Sequence, residues 1–442
     1  MKEYFKQSGP IYGEASAPAR WERTFAPWLE SIGFKRGKNE PAVFYHPVHK
    51  LTVLLYVDDI MARGPGHHVR WLNKIIDDNW ATKPAEWLEM GKPLDYVGMD
   101  IAVDENNLYI SMANYINTML TNLNLDQLTE QDVPIEKAID TESRDLNSTE
   151  KMLFMSGIGC LGWLSNTARP DISYAHSRLA QHLAKPNLSA LKGLMGALGY
   201  LKKHVNLCLV CPRKSQDKHI STIRLPDHSM HHSYYTFYSD ADFASNAEKQ
   251  NKRRSQNGGI AMCCGAPVFW MSKAHSKCWA SGEIQEAHAD TSSGAAEVYA
   301  AGNFTKEMMF QSYVIEELGM TVVKPMVLQV DNAAAEVFAN DTCVKSQLKH
   351  IDCRQEWVIA LRDPNLVKCV HVDTKDNLAD MFTKILDKET FEGLRDRCMG
   401  TLPLKLMQVM KVPFVRENET SNFVDVSVDM RRHSLYQVLR GV

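Results

Sequence analysis

The feature that most constrains the fold is the order of apolar runs from residue 234 to residue 374. Three β-rich runs come first, in YYTFYSDAD, GGIAMCC and PVFWMSK, and a long helical stretch up to Gly319 follows them. The strand-like VLQVD, a second helical stretch and the strand-like KCVHVDT complete the series. Strands followed by alternating helices and strands predict an α/β domain with a mixed central sheet.

Four acidic residues lie where these elements are expected to begin or end: Asp240, Glu297, Asp331 and Asp380. If they cluster within a few Å, each close pair would repel by about 4 kcal/mol at an effective dielectric near 20. Divalent cations between them would offset that repulsion, and carboxylates are the hard oxygen ligands that suit Mg²⁺ or Mn²⁺. Two such ions can activate a water and stabilise the leaving 3′ oxygen in phosphodiester hydrolysis. The alternative is that all four are ordinary surface acids.

Size and composition narrow the class of protein. A chain of 442 residues that is 44% hydrophobic and 23% charged predicts two to four globular domains. The sequence contains no apolar run of about 18 residues and no apolar signal core near its N-terminus, so we expect a cytoplasmic or nuclear protein with no membrane partner. A net charge of -3 means that any contact with phosphate must come from local basic clusters.

The ten cysteines lack the dense spacing of a disulfide scaffold, and we expect reduced thiols. Cys208 and Cys211 have the spacing of a zinc pair, and His204 is near enough in sequence to add a third ligand. No second pair follows them, and LCLVCP has the character of a buried strand. The strand is the favoured interpretation, and zinc is the alternative.

The third region resembles a known family. YSDADFASNAEKQNKRRSQNGGIAMCCGAPVFWMSKAHS is similar to the start of the RNase H domain of copia-type retrotransposons, which carries YSDADWA, a basic-Ser pair and a G-x-P-xx-W-x-S-K strand. VDNAAAEVFA, LKHIDCRQEWV and VHVDTKDNLADMFTKIL resemble the DN, KHID and LADxFTK motifs of that family, in the same order. The resemblance implies an RNase H-like domain that cuts RNA in an RNA/DNA hybrid.

Carried over by position, the resemblance makes Asp240, Glu297, Asp331 and Asp380 the ligands of two Mg²⁺ or Mn²⁺ ions. Asp242, His350 and Asp352 also belong to the motifs, but the resemblance does not make them metal ligands. One departure stands out, because the family has SSTEAEY where residues 292–299 are SSGAAEVY. Only the second glutamate of that motif, Glu297, is kept, and it is the one that matches a ligand.

A basic run near this region is a candidate for phosphate contacts. It contains Lys249, Lys252, Arg253 and Arg254 and is expected to hold the hybrid, whose minor-groove shape and 2′-OH distinguish RNA from DNA. A merely solvated loop is the alternative. Arg20 and Lys349 are further candidate nucleic-acid-binding residues.

The first region resembles the reverse transcriptase of the same elements. Asp58 and Asp59 lie in Tyr56-Val57-Asp58-Asp59, which resembles the YVDD box and is expected at the tip of a β-hairpin. YGEASAPARWERTFAPWLESIGFKRGKNEPAVFYH resembles the block before it, with an amphipathic helix ending at Gly33. PLDYVGMDIAV and LYISMANYINTML resemble the following hairpin and the thumb entry, and NTARPDISYAHSRLAQHLAKP resembles the connecting segment.

The resemblance also implies a missing part. The intact polymerase holds its two metals with a further aspartate on an upstream strand, and that residue has no counterpart in this sequence. We therefore expect Asp58 and Asp59 to support no DNA synthesis by this chain alone. The missing N-terminal polymerase part is a potential partner, as a piece of a larger polyprotein or of a split gene. The sequence predicts no oligomeric state.

Together these inferences predict an α/β and α+β multidomain chain. We expect a truncated reverse transcriptase (palm and thumb part) over 1–125, a helical connection over 126–230, an RNase H-like domain over 231–390 and a C-terminal tail over 391–442. The predicted function is metal-dependent hydrolysis of RNA in RNA/DNA hybrids. The alternative is an inactive relic or a repurposed nucleic-acid-binding protein.

Overall fold

The computed structural model describes residues 17–56, 59–80, 82–214, 220–225, 228–243, 255–274, 293–340 and 366–410. In these ranges the chain is a mixed α/β protein with helices and several sheets, as the sequence predicts at that level. It divides into two compact units. Among the described residues, no helix is long and apolar enough to cross a membrane.

The first unit contains the described residues up to Glu86 together with 309–322. Its elements up to Glu86 are α1 (Ala17–Ser31), β1 (Lys35–Arg36), β2 (Val43–His46), β3 (Leu51–Tyr56), β4 (Asp59–Arg63) and α2 (Gly66–Asn79). The strands form an antiparallel meander in the order β1-β2-β3-β4. Phe25 and Leu29 of α1 are fully buried with Phe44 of β2, since the apolar residues of α1 recur at helical spacing.

Two predictions for this unit are confirmed. The amphipathic helix ends before Gly33, which has a φ of 104° that favours glycine. The strands β3 and β4 form the predicted hairpin, in which Tyr56 pairs with Asp59 across the turn. Val57 and Asp58, which separate Tyr56 from Asp59 in the sequence, lie outside the described residues.

The second unit contains the described residues of 87–308 and 323–410. Its elements in chain order are β5 (Leu94–Tyr96), β6 (Met99–Val103), β7 (Asn107–Ser111), α3 (Ala113–Asn122), α4 (Ser148–Thr167), α5 (Ser173–Ala180), α6 (Leu188–Lys203), β8 (Leu207–Pro212), β9 (Ser221–Arg224), β10 (Met230–Ser233), β11 (Tyr235–Asp242), β12 (Gln256–Cys263), β13 (Ala266–Ala274), α7 (Ser293–Glu317), β14 (Met326–Val330), α8 (Ala333–Asn340), β15 (Val367–His371), α9 (Lys388–Cys398), β16 (Gly400–Thr401) and α10 (Leu404–Val409). Residues of α7 after Met308 belong to the first unit.

One five-stranded sheet of the second unit joins distant parts of the chain. Its order is β16-β8-β7-β6-β5, and every neighbouring pair is antiparallel. LCLVCP is therefore a strand, as favoured from the sequence. Cys208 and Cys211 are three residues apart, and side chains at that spacing on a strand point to opposite faces. In the described part of the chain, neither cysteine belongs to a group of three or more residues that could hold a metal ion.

The other five-stranded sheet has the order β13-β12-β11-β14-β15. β11, β12 and β13 are antiparallel neighbours, whereas β11, β14 and β15 run parallel. Only Cys264 and Gly265 separate the antiparallel strands β12 and β13, whereas α7 precedes β14 and α8 precedes β15 in the chain. Its central strand, β11, ends in Asp240 and Asp242.

The helices α4, α5 and α6 surround a buried charged pair. Arg169 Nη2 donates to Asp171 Oδ2 at 2.7 Å, and both side chains are fully buried. The Tyr200 hydroxyl donates to the same oxygen at 2.7 Å. Pro170 begins a 3-10 helix (Pro170–Ile172) just after α4, because a proline disfavours the helical conformation of the residue before it.

Residues 391–410, which the sequence placed with the tail, are folded onto the second unit's core. Phe391, Leu394 and Cys398 of α9 are buried, and so are Leu406 and Met407 of α10. β16 pairs with β8, with Gly400 opposite Cys208. Residues 411–442 lie outside the described residues.

Candidate metal centre

Three carboxylates from separate elements converge at one end of the mixed sheet. Asp240, Asp331 and Asp380 each offer an oxygen, and the three oxygens lie within 4.8 Å of one another. This is the one such group of three or more acidic, histidine or cysteine residues in the described part of the chain. Three hard oxygen donors this close could bind a metal ion.

Parallel strand pairing explains why two of these acids meet. β11 and β14 are parallel neighbours, with Phe237 opposite Leu328 and Tyr238 opposite Gln329. Continuing that register brings Asp240, near the end of β11, opposite Asp331, directly after β14. The carboxyl ends of parallel strands lie at one edge of a sheet, and the two acids therefore share that edge.

Asp380 reaches the same edge from a 3-10 helix (Leu378–Phe382) that packs on β12. The close approach depends on Gly258, which pairs with Asp240 across the strands. A Cβ on Gly258 would lie 2.6 Å from Thr383 Cγ2 and 2.8 Å from Phe382 Cβ. A residue with any side chain at position 258 would push the 3-10 helix away from the strand.

Glu297 comes from α7, and a second glycine allows that helix to pack close to the sheet. A Cβ on Gly259 would lie 2.4 Å from Phe304 Cδ2 of α7. Glu297 is buried, and its Oε2 has no hydrogen-bond partner among the described residues. It is not part of the group of three, but Asp240 and Asp331 are close enough to raise its pKa. An unpartnered buried carboxylate oxygen beside other acids fits a cation ligand.

The pKa values of the buried acids show that burying these carboxylates side by side disfavours their ionised forms. Burial raises the pKa of Asp240. Burial also raises the pKa of Asp380, to about 7. Burial also raises the pKa of Glu297 well above its usual value, and the neighbouring acids raise it further. A cation at this place would favour the ionised carboxylates and reverse these shifts.

Two side chains after Asp380 contact the group. The Thr383 hydroxyl donates to Asp240 Oδ2. Lys384 Nζ donates to Asp240 Oδ1 at 3.2 Å and to Asp380 Oδ1 at 3.0 Å. Both residues lie in the quoted LADMFTK motif, but the sequence did not single them out. A lysine four residues after Asp380 was the only available signal.

The other predicted site residues do not join this group in the described part of the chain. Asp59 is exposed at the start of β4, and Asp242 is half-buried at the end of β11. Arg20 lies in α1, where only its backbone is described. The remaining predicted residues lie outside the described ranges, namely Asp58, Lys249, Lys252, Arg253, Arg254, Lys349, His350 and Asp352.

One family model matches the N-terminal region of the chain. Residues 2–137 match the family described as Reverse transcriptase (RNA-dependent DNA polymerase). The match includes the hairpin β3–β4 and the strands β5 to β7.

Curated relatives extend the similarity over most of the chain. The Retrovirus-related Pol polyprotein from transposon TNT 1-94 of Nicotiana tabacum is 25% identical over 399 residues, which cover 88% of this chain and 27% of the relative. The corresponding polyprotein from transposon RE1 of Arabidopsis thaliana is 27% identical over 396 residues, covering 88% and 24%. A putative transposon Ty5-1 protein of Saccharomyces cerevisiae is 27% identical over 271 residues, covering 60% and 80%.

The chain is therefore related to the Pol polyproteins of copia-type retrotransposons, which confirms the resemblance found in its motifs. It spans about a quarter of the length of the first two of these relatives.

Proposed function

We propose that residues 231–390 form an RNase H-like domain that hydrolyses the RNA strand of RNA/DNA hybrids with two Mg²⁺ or Mn²⁺ ions. The observation that carries this proposal is the convergence of Asp240, Asp331 and Asp380 within 4.8 Å, with Glu297 beside them. These are the four acids that the copia-type motifs indicate as ligands. The mixed sheet is the architecture that the same resemblance implies.

The donor set fits the proposed ions. All four groups are carboxylates, which Mg²⁺ and Mn²⁺ prefer. Asp240 and Glu297 are both buried, and Glu297 Oε2 has no hydrogen-bond partner in the described part of the chain, so it is available to a cation. When bound, two divalent ions would supply an activated water and stabilise the leaving 3′ oxygen.

The chain's own residues hold the ligands in place. Thr383 restrains Asp240 by donating to one of its oxygens. Asp240 lies in β11 and Asp331 directly follows β14, and rigid strands position ligands more accurately than loops do. Asp331 is half-buried, whereas Asp240 and Asp380 are buried, so substrate would approach the group from the side of Asp331.

A nuclease assay with matched variants tests the proposal. A labelled RNA strand in an RNA/DNA hybrid is incubated with Mg²⁺ or Mn²⁺ and with the parent protein, Asp331→Asn or Asp373→Asn. The parent and Asp373→Asn should cleave, since Asp373 is an exposed acid paired with Lys375 and not with the group. Asp331→Asn should lose about 10² to 10³-fold in rate, because it removes one charged ligand.

Two results would contradict the proposal. Equal absence of cleavage by the folded parent and by Asp331→Asn would favour an inactive relic or a nucleic-acid-binding role. Equal cleavage by both would place the activity at another site. Circular dichroism of each variant ensures that loss of cleavage is not loss of folding.

DNA synthesis is a separate question, and we keep the prediction that this chain alone performs none. Primer extension on an RNA template, with the same protein and ions, measures it. Incorporation of nucleotides would contradict the prediction and would leave the proposal for hydrolysis unaffected. We propose the RNA/DNA hybrid as the partner, with Lys249, Lys252, Arg253 and Arg254 as phosphate contacts.

A further inference from the structure

Lys384 has a position that the proposed hydrolysis does not require. Its Nζ lies 3.0 Å from Asp380 Oδ1 and 3.2 Å from Asp240 Oδ1, so one ammonium bridges two of the acids. Lys384 and Asp380 are four residues apart in sequence, whereas Asp240 is 144 residues away. The bridge therefore connects the 3-10 helix to the central strand.

Electrostatics explains what this bridge does. Two buried carboxylates that share an edge with a third repel one another strongly where water is excluded. A single ammonium in contact with both offsets part of that repulsion and satisfies two of the buried oxygens. In the described part of the chain, Lys384 is the cation that forms ion pairs with Asp240 and Asp380.

The three side chains differ in their access to solvent. The side chain of Lys384 is 31% exposed, whereas those of Asp240 and Asp380 are 0% and 6% exposed. The Lys384 side chain thus reaches from the acids towards solvent, and its ammonium is at the end of a flexible four-carbon stem. It can swing outwards without any movement of the backbone, but the two carboxylates have no such freedom.

From this geometry we propose that Lys384 is an exchangeable internal counter-ion of the acid group. It holds Asp240 and Asp380 together when no divalent ion is bound, and it withdraws towards solvent when one enters. The inference rests on the metal site of the proposed function. Its consequence is that Lys384 stabilises the metal-free protein and weakens the affinity for metal, which is the opposite of a metal ligand or of a purely structural lysine.

Binding of Mn²⁺ to the full chain tests this inference without any activity assay. Free Mn²⁺ is measured by electron paramagnetic resonance, and melting is followed in EDTA and in Mn²⁺, for the parent, Lys384→Met, Lys384→Arg and Asp331→Asn. Lys388→Met is the matched control, since Lys388 pairs with the surface acid Asp132 at 3.0 Å. Methionine removes the positive charge of the lysine and arginine keeps it, and both side chains are long and unbranched like that of lysine.

The expected result has two parts of opposite sign. Lys384→Met should melt at least about 2 to 4 °C below the parent in EDTA, because the acids lose their counter-ion. It should bind Mn²⁺ at least about tenfold more tightly, because the ion no longer displaces an ammonium. Lys384→Arg should restore the melting temperature, and Lys388→Met should match the parent in Mn²⁺ affinity.

Other outcomes separate this inference from the proposed function. Equal or weaker Mn²⁺ binding by Lys384→Met, with binding by the parent that Asp331→Asn weakens, would overturn the counter-ion role and leave the metal site standing. Equal, negligible binding by all variants would remove the metal site itself. If Lys384→Met folds only in Mn²⁺, the metal-free protein depends on the lysine, and this outcome supports the counter-ion role. Failure of both Lys384→Met and Lys384→Gln to fold even with Mn²⁺ would overturn it, because the lysine would then be structural.

Discussion

At the scale of single residues, Arg169 and Asp171 are the clearest stability determinant. Arg169 contacts Asp171 through Nε at 3.0 Å and through Nη2 at 2.7 Å, and its Nη1 donates to the His204 carbonyl oxygen at 3.1 Å. Burial alone would raise the pKa of Asp171, but the guanidinium lowers it, so the carboxyl is ionised. A pair of this kind is costly to break, because removal of one partner leaves a buried charge.

We therefore expect Asp171→Asn to lower the free energy of unfolding by about 3 to 5 kcal/mol. Denaturant unfolding followed by circular dichroism measures the change. Asp145→Asn is the control, since Asp145 and Lys185 form an exposed pair at 3.9 Å whose loss should cost less than about 1 kcal/mol. A cost for Asp171→Asn as small as that of the control would show that the buried pair is dispensable.

His204 is a second residue with a measurable consequence. Burial, with help from Arg395 and Arg169, lowers the pKa of His204 from 6.5 to about 4. A base whose pKa falls on folding binds its proton less well in the folded chain than in the unfolded chain. Its contribution to stability is therefore full above pH 6.5 and is lost as the pH falls towards 4.

Unfolding at a series of pH values tests this effect. Between pH 7 and pH 4.5 the parent should lose more stability than His204→Gln, because the variant has no imidazole to protonate. The slopes are compared rather than the absolute values, since glutamine also changes the packing against Tyr200. Parallel curves for the two proteins would contradict the expected role of His204.

At the scale of elements, the two consecutive glycines of β12 decide how closely the acid-bearing elements approach the sheet. Gly258 faces the 3-10 helix that carries Asp380, and Gly259 faces α7, which carries Glu297. Successive residues of a strand point to opposite faces of the sheet. Gly258 therefore allows the close approach of the 3-10 helix on one face, and Gly259 allows that of α7 on the other. The sequence showed GGIAMCC as a strand, but no local pattern could indicate which neighbours would pack on each face.

Gly258→Ala should lower the free energy of unfolding by about 1 to 3 kcal/mol and reduce hybrid hydrolysis, because the added methyl group displaces the 3-10 helix. Unfolding and nuclease rates are measured on the same preparation. Gly393→Ala is the control, since a Cβ there meets nothing within 4 Å and a helix gains about 0.5 to 1 kcal/mol from the exchange. An unchanged or higher stability of Gly258→Ala would mean that the helix and strand tolerate the extra atom.

At the scale of the whole molecule, residues 388–410 are part of the second unit. Leu406 of α10 is 6% exposed and belongs to its core, whereas Leu404 of the same helix is 60% exposed. Both are leucines in a helix of six residues, so the sequence alone could not predict which of the two is buried. β16, which directly precedes α10, pairs with β8 from a distant part of the chain.

Leu406→Ala should cost about 2 to 5 kcal/mol of unfolding free energy, because it leaves a cavity in that core. Leu404→Ala should change it by no more than about 0.5 kcal/mol, as expected for an exposed side chain. Thermal or denaturant unfolding of the two variants measures the contrast directly. Equal effects would show that α10 does not pack as described.

The sequence by itself determined the local elements and the chemistry of the candidate site. Periodic apolar residues predicted α1, the hairpin β3–β4 and the series of strands and helices from β11 to β15, because side-chain spacing reflects local backbone geometry. Motif order indicated Asp240, Glu297, Asp331 and Asp380. The structure brings the three aspartates to one edge of a sheet, and Asp240 and Asp331 are close enough to Glu297 to raise its pKa.

Only the tertiary structure decided which distant segments meet. It paired β8 with both β7 and β16, and it placed Lys384 between two acids of which one is 144 residues away. Such contacts depend on the burial of surfaces that form only when remote elements pack together. The residue pattern within one segment carries no information about such contacts. For this reason the sequence predicted neither the contacts of Lys384 with the acids nor those of Gly258 and Gly259 with the elements packed on them.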